Sequence, residues 1–322
     1  MEVLLKPPRA ATELLSDLTD MDRNPLRPDA WPEGGVVQEL PADAWFEYVW
    51  RMPDGSLQLD AENGQTAPSI WYGRVSVITG PDYRPDPLAL ASESVPPGPL
   101  RREKLDSAAL GHQRRVNTWT PAGFENASLP AILVQDGTAF NRLGRLSSVM
   151  QLLLDEGVPP ARLVFLEPVD RTSEYSFSEN FNDFMLQELL PKLEELAGPT
   201  DSVSLLGTSL GGLASAGLAL AAPERFRGVA TLSAAILGGP ADRDPYNSRE
   251  EWLLKQVQAG AGIPRRWFVG TGSLEWLHQP NLRLQSALAA RGTDLAAMVL
   301  SAGHNWPNWR DMEAAALRQL LG

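Results

Sequence analysis

Three features of the sequence predict an α/β protein whose sheet is mostly parallel and covered by helices on both faces. Short apolar runs at residues 131–134, 163–166 and 203–206 alternate with longer stretches of helical spacing. That is the pattern of buried strands joined by crossover helices. One run stops abruptly at Gly207-Thr208-Ser209-Leu210-Gly211 and passes into an Ala- and Leu-rich segment at 213–222, which reads as strand, tight turn, helix. The length, 322 residues with 43% hydrophobic, suits one large α/β domain with an N-terminal addition.

In chain order, residues 1–41 are rich in Pro, Asp and Arg without sustained periodicity. They predict a loosely structured lead-in with a single helical turn at 13–18. Residues 45–52 alternate, Pro53-Asp54-Gly55 turns the chain, and Leu57 and Leu59 return it, which predicts a hairpin. Residues 69–78 predict a further strand. The proline-rich stretch 81–99 reads as a linker. A boundary inside it separates a small β-rich region, 1–95, from a catalytic domain, 96–322. Residues 102–110 and 113–120 predict two antiparallel strands joined at Gly111-His112. The strand at 131–134 comes next, then a helix at 145–156 and the strand at 163–166. A polar loop at 167–180 leads into a helix at 181–196, kinked at Pro191. After the Ser209 turn come a strand at 228–234, a helix at 252–259, a strand at 267–269 and a helix at 281–290. The last strand, 297–300, and a closing helix, 310–321, complete the chain.

Composition narrows the chemistry. With 28 basic and 40 acidic residues the formal charge is −12, which argues against a nucleic-acid partner and against long-range steering of anions. No cysteine is present, so a disulfide framework, a thiolate nucleophile and Cys-ligated metal are excluded. No apolar run approaches the ~18 residues of a membrane span, and the first twenty residues hold no apolar signal core. No membrane association is expected, and the cytoplasm is the default location.

Gly-x-Ser-x-Gly in a strand–turn–helix context marks Ser209 as a candidate nucleophile. The flanking glycines let strand and helix pass close to the turn, and the following helix aims its N–H groups at the same spot. A serine hydroxyl is too weakly acidic to attack unaided, so a base must follow, with an acid between them. The chain has three histidines. His304 directly follows the last strand and is the expected base. His278, just past the penultimate strand, is the rival. His112 reads as a solvated turn residue. Glu275, the only carboxylate between Glu251 and Asp294, is the expected acid. The oxyanion donors are expected to be the backbone N–H of Leu210 and one at Gly137 or Thr138. Pocket candidates are Phe140, Arg142, Arg145, Arg171, Tyr175, Trp276, Trp306 and Trp309. The competing reading makes the tryptophans packing residues and pairs the arginines with Glu174 and Asp170. Asp136, Asp170 and Glu174 are read as structural or solvated carboxylates, so neither metal nor cofactor is expected.

With those residues in place, the stretch from about residue 101 onward resembles the enterochelin esterase branch of the esterase D family of α/β-hydrolases. The resemblance rests on Gln135-Asp136-Gly137 before Phe140, Glu188-Leu189-Leu190-Pro191, Gly207 to Leu213, Pro223-Glu224-Arg225-Phe226, Gly272 with Glu275, and Gly303-His304. It implies a serine esterase with Ser209, His304 and Glu275 as triad, acting on a siderophore-type lactone or a smaller aryl or acyl ester. It also implies an N-terminal β-sandwich, of which 45–78 would be a shortened version. Asn305 departs from the Asp frequent after the catalytic histidine. Two alternatives stand beside hydrolysis: acyl transfer from the same acyl-enzyme to an alcohol, and a non-catalytic ligand-binding role.

Overall fold

The computed structural model describes every residue except Glu33, 243–247 and Arg249. The described chain forms two compact units, and neither is one continuous segment. The first holds 1–85 with 271–278 and 299–308; the second holds 86–270, 279–298 and 309–322.

In the first unit, β1 (Glu2–Leu5) pairs antiparallel with β3 (Val36–Glu39). A second sheet joins β2 (Glu13–Ser16), β4 (Trp45–Arg51), β7 (Arg74–Thr79) and β6 (Thr66–Pro68) in that order, with β5 (Leu57–Gln58) on β4. The hairpin at 45–59 is as expected. The lead-in is not. Residues 13–16 form a strand, because Leu14 and Leu15 are buried and β4 supplies a ladder along their whole length. An isolated helical turn would gain a single hydrogen bond for the residues it fixes. Of the turn expected at 13–18, a 3₁₀ turn remains at Asp17–Thr19, where the Ser16 N–H donates to Thr19 Oγ1 at 2.8 Å. The strand expected from residue 69 begins only at Arg74; residues 69–73 form a loop closed by the Ser69 N–H on the Gly73 carbonyl, 3.3 Å. Leu5, Leu14, Phe46, Tyr48 and Trp50 build the core of this unit, and Leu274 belongs to the same cluster.

The linker contains a helix, α1 (Pro87–Ser92). Asp86 accepts from the Leu88 and Ala89 N–H groups at 2.9 and 3.0 Å, and Pro87 fills the first helical position, where its missing N–H costs nothing.

The second unit is built on an eight-stranded sheet. It begins with the antiparallel pair β8 (Arg101–Ser107) and β9 (His112–Trp119). Then come β10 (Leu129–Val134), α2 (Gly137–Ala139), α3 (Leu146–Asp155) and β11 (Arg162–Leu166). The stretch expected to be loop carries α4 (Arg171–Tyr175), started by the Asp170 carboxylate on the Ser173 N–H, 3.1 Å. The helix expected over 181–196 is divided. It runs as α5 (Glu179–Asp183), a π-helical turn, a 3₁₀ turn containing Pro191, and α6 (Leu193–Ala197). Proline has no N–H for a regular ladder, so hydrogen bonding is rearranged around it. The rest alternates: β12 (Thr200–Thr208), α7 (Leu210–Ala221), β13 (Gly228–Leu232), α8 (Trp252–Gln258), β14 (Arg266–Gly272), α9 (His278–Ala290), β15 (Asp294–Leu300) and α10 (Trp306–Leu321).

The strand order is β15-β14-β13-β12-β10-β11-β9-β8, with β10, β11, β12, β13 and β14 mutually parallel where they pair. The chain leaves β10 for β11 on one side and comes back to β12 on the other. That reversal opens a crevice beyond the carboxyl ends of β10 and β12, where sheets of this type bind ligands.

Candidate active site

Ser209 follows β12 directly and has φ 57° and ψ −123°. A side chain in that region is strained and persists only when its surroundings fix it. Here they do. The Ser209 N–H donates to Leu232 O at 3.0 Å, and the Ser209 carbonyl accepts from Leu213 and Ala235 N–H, each at 3.0 Å. A Cβ at Gly207 would overlap the Gly211 carbonyl, so glycine is required where strand and helix cross. Leu210 opens α7, and its N–H is one of the four that a helix leaves without an intrahelical partner.

The turn after β10 lies beside this elbow. Gln135 N–H donates to Leu206 O at 2.9 Å, and a Cβ at Gly211 would come 3.0 Å from Asp136 Oδ2. Asp136 is itself left-handed, φ 54° and ψ 40°. Its N–H donates to the Tyr175 hydroxyl oxygen, 3.2 Å, and its carboxylate takes the forked guanidinium of Arg171, the shortest contact being 2.7 Å. Arg171 also reaches the Thr208 carbonyl at 3.5 Å. One arginine therefore ties the Gly137 turn to the residue before Ser209. Sequence reasoning offered Arg171 either a substrate anion or Glu174 and Asp170 as partner, and Asp136 is the partner found.

Gly137 opens α2, and a Cβ there would come 2.5 Å from Phe165 Cα, so packing on β11 already demands glycine. The Thr138 N–H donates to Glu167 Oε2 at 2.9 Å, which leaves Gly137 as the donor candidate on this turn. Phe140 and Tyr175 are fully buried. Burial pushes the Tyr175 hydroxyl well above its ordinary range, and its ring packs edge-on against Phe181. Arg142 is exposed. Arg145 donates to the Ser92 and Val95 carbonyls at 2.8 and 2.9 Å, and Trp309 is buried with its Nε1–H on Ser233 Oγ, 2.9 Å. Burial and these contacts make Phe140, Tyr175, Arg145 and Trp309 packing and bracing residues. Glu174 is bonded to Arg114 and accepts from the Val169 and Asp170 N–H groups, so it too has a structural role.

The two residues expected to be acid and base, Glu275 and His304, meet within the first unit. His304 Nδ1 and Glu275 Oε2 are 2.5 Å apart, and both residues are buried. The other carboxylate oxygen, Oε1, accepts from Thr271 Oγ1 at 2.8 Å and from the Gly272 N–H at 2.9 Å. Two donors thus hold Oε1, so the Glu275 carboxylate is oriented by contacts other than the imidazole. His278 instead opens α9, its N–H donating to Glu275 O at 3.2 Å, and burial pulls its imidazole pKa down. Trp276 lies 4.7 Å from the His304 ring, centroid to centroid. Trp306 is half-buried at the start of α10.

A buried acid from the lead-in braces the base loop. Asp17 Oδ2 accepts from the Glu47 N–H at 2.7 Å, and Gly303 presses on the same carboxyl so closely that a Cβ would overlap it. Burial raises the Asp17 pKa well above its usual range, and the charges of Glu47 and Glu275 raise it further; the Asn305 side chain partly offsets them. Burial also lifts Glu47 to about 7. An aspartate at 305 would set a second carboxyl against that of Asp17, where the Asn305 amide supplies a hydrogen bond instead. Nothing in the local sequence around Asp17 signals this role.

A family model described as a putative esterase matches residues 107–320. The chain belongs to this esterase family. It is 29% identical over 246 residues, 71% of its length, to a protein named iron(III) enterobactin esterase from Dickeya dadantii. The alignments span 57% and 56% of the two curated relatives matched, so the chain corresponds to little more than half of each. Solved structures resemble it along almost its whole length. The enterochelin esterase of Shigella flexneri is 20% identical with a TM-score of 0.72, covering 99% of this chain and 91% of that one. The ferric enterobactin esterase of Salmonella typhimurium is 18% identical with a TM-score of 0.74, covering 99% and 92%. The fold of this family member is that of the α/β-hydrolases, with a β-rich N-terminal region. That region uses strands from 2–39 as well as from 45–79, more than the shortened sandwich expected at 45–78. Among the described residues, no helix is long and apolar enough to cross a membrane.

Proposed function

We propose that this family member hydrolyses carboxylic esters through an acyl-enzyme on Ser209, with His304 as base and Glu275 as its orienting acid. The observation that carries the reading is the buried pair of His304 Nδ1 and Glu275 Oε2 at 2.5 Å. A carboxylate on Nδ1 keeps the proton there, so Nε2 is the basic nitrogen, and it stabilises the imidazolium formed in the reaction. Ser209 Oγ attacks the ester carbonyl carbon while its proton passes to His304 Nε2. The oxyanion is held by the Leu210 and Gly137 N–H groups. Collapse of the tetrahedral intermediate breaks the bond to the alcohol oxygen, which takes the proton back from Nε2. Water then repeats the sequence on the acyl-enzyme and releases the acid, restoring Ser209.

The proposed substrates are a siderophore-type lactone or a smaller aryl or acyl ester. The Dickeya relative's name and the Shigella structure solved with a dihydroxybenzoyl-serine support that range. The test is labelling with a fluorophosphonate followed by a panel of esters. Label is expected on Ser209 and lost in Ser209→Ala, with kcat down roughly 10⁶-fold. Wild-type turnover by Ser209→Ala would overturn the reading.

A further inference from the structure

The loop between β6 and β7 carries two large apolar side chains side by side at its tip, Ile70 at 38% exposure and Trp71 at 41%. The loop is shaped: beyond the Ser69–Gly73 closure, the Trp71 N–H donates to Ser69 Oγ at 3.2 Å. Trp71 is also not directed away from the molecule. Its ring lies 5.8 Å from the His304 imidazole with an interplanar angle of 31°, and 6.0 Å from the Trp276 ring. Arg23 stands over Trp276, 5.4 Å from its centroid, which steadies that indole. The imidazole is 2% exposed while the indole beside it is 41% exposed. Trp71 therefore offers an open aromatic surface alongside the base.

An ester whose leaving group takes a proton from His304 must lie next to that ring. The groups flanking its carbonyl then fall within reach of whatever borders the imidazole. An indole face favours a flat partner, since aromatic rings stack offset or edge-to-face at centroid separations of about 4.5–7 Å. A small alkyl group gains much less there. We infer that Trp71 is a specificity-determining residue, stacking on a planar aromatic group of the ester substrate beside the base. This rests on the esterase reading above and adds a residue from the β6–β7 loop to the substrate contacts.

The test compares wild type, Trp71→Ala and Trp71→Phe on ethyl benzoate, benzyl acetate and ethyl acetate. Trp71→Ala is expected to lose roughly 10- to 100-fold in kcat/KM on whichever aromatic ester is preferred, and less than about threefold on ethyl acetate. Trp71→Phe, which keeps a ring, restores most of that loss. Equal losses on all three esters overturn the assignment. A calorimetric titration needs no turnover: benzoate should bind about tenfold more weakly to Trp71→Ala than to wild type, with cyclohexanecarboxylate little changed. Equal benzoate affinity in the two proteins, or no benzoate binding to wild type, overturns it as well. If wild type hydrolyses no ester, the esterase reading fails on its own and the titration still decides the role of Trp71.

Discussion

Glu275→Gln tests the acid by geometry rather than by bulk, because the two side chains have nearly the same shape. The carboxylate receives three donors: His304 Nδ1 on Oε2, and Thr271 Oγ1 with the Gly272 N–H on Oε1. An amide has one acceptor oxygen and one NH₂ group, so it cannot satisfy all three. With its oxygen toward Thr271 and Gly272, two contacts survive and the NH₂ faces His304 Nδ1. The imidazole must then accept at Nδ1 and carry its proton on Nε2, the wrong nitrogen for a base toward serine. The reverse flip keeps the tautomer but sets NH₂ against the backbone N–H of Gly272, leaving a buried donor unsatisfied at about 1–3 kcal/mol. The first arrangement is therefore favoured. It removes general-base function for roughly 10³–10⁴-fold in kcat, with KM little changed. The loss should be smaller than for removing Ser209 or His304, since the acid orients and does not bond to substrate. The assay is steady-state hydrolysis of one ester across pH 5–9, with melting curves to show the fold intact. Thr271→Val is the control; it removes one donor and leaves the tautomer alone, so it should cost less than about tenfold. Glu275→Gln turning over within tenfold of wild type would refute this account of the pair.

Replacing His304 with Ala should reduce turnover as far as Ser209→Ala does, and the double variant should be little worse, whereas His278→Ala should stay within about threefold. If His278→Ala is the silencing change, the base is misassigned. The Asp136–Arg171 pair is partly exposed, so its worth lies between an open and a buried ion pair, about 1–2 kcal/mol. Arg171→Met and Asp136→Asn should each lower kcat more than they raise KM, and a double-mutant cycle should show strong non-additivity; additive losses would mean the pair does not act as one brace. Glu47 has its pKa raised from 4.5 to about 7 by burial, so the native state holds a proton that the unfolded chain releases. Its stabilising contribution is full below about pH 4.5 and is lost as pH rises through about 7. Glu47→Gln should therefore flatten the fall in melting temperature between pH 5 and 8.5; an unchanged slope would place that proton elsewhere.

The parallel sheet was legible because its strands are buried on both faces and read as continuous apolar runs. The Ser209 turn was legible because strand, glycines and helix adjoin in sequence. His304 and Glu275 followed from chain order after strands. The first forty residues were not legible: β1 and β3 pair across a stretch that itself holds β2, and β2 is a strand only because β4 lies beside it. Asp136 with Arg171, and Asp17 with Gly303, escaped for the same reason. Each pairs residues whose adjacency arises only in the folded chain, and no local pattern announces it. Pro191 disclosed a break in a helix, but not that a π turn and a 3₁₀ turn would share it.

The contact between Asp17 and Gly303 bears on how the protein can be made and cut. Residues 271–278 and 299–308, which carry the proposed acid and base, cluster with the first eighty-five residues rather than with the strands that precede them. During synthesis residues 1–85 emerge before their partners and must wait, with Asp17 uncovered, until 299–308 leave the ribosome. A fragment starting after the linker would keep Ser209, Glu275 and His304 in its sequence, yet lose the carboxyl and the apolar side chains against which the base loop is formed.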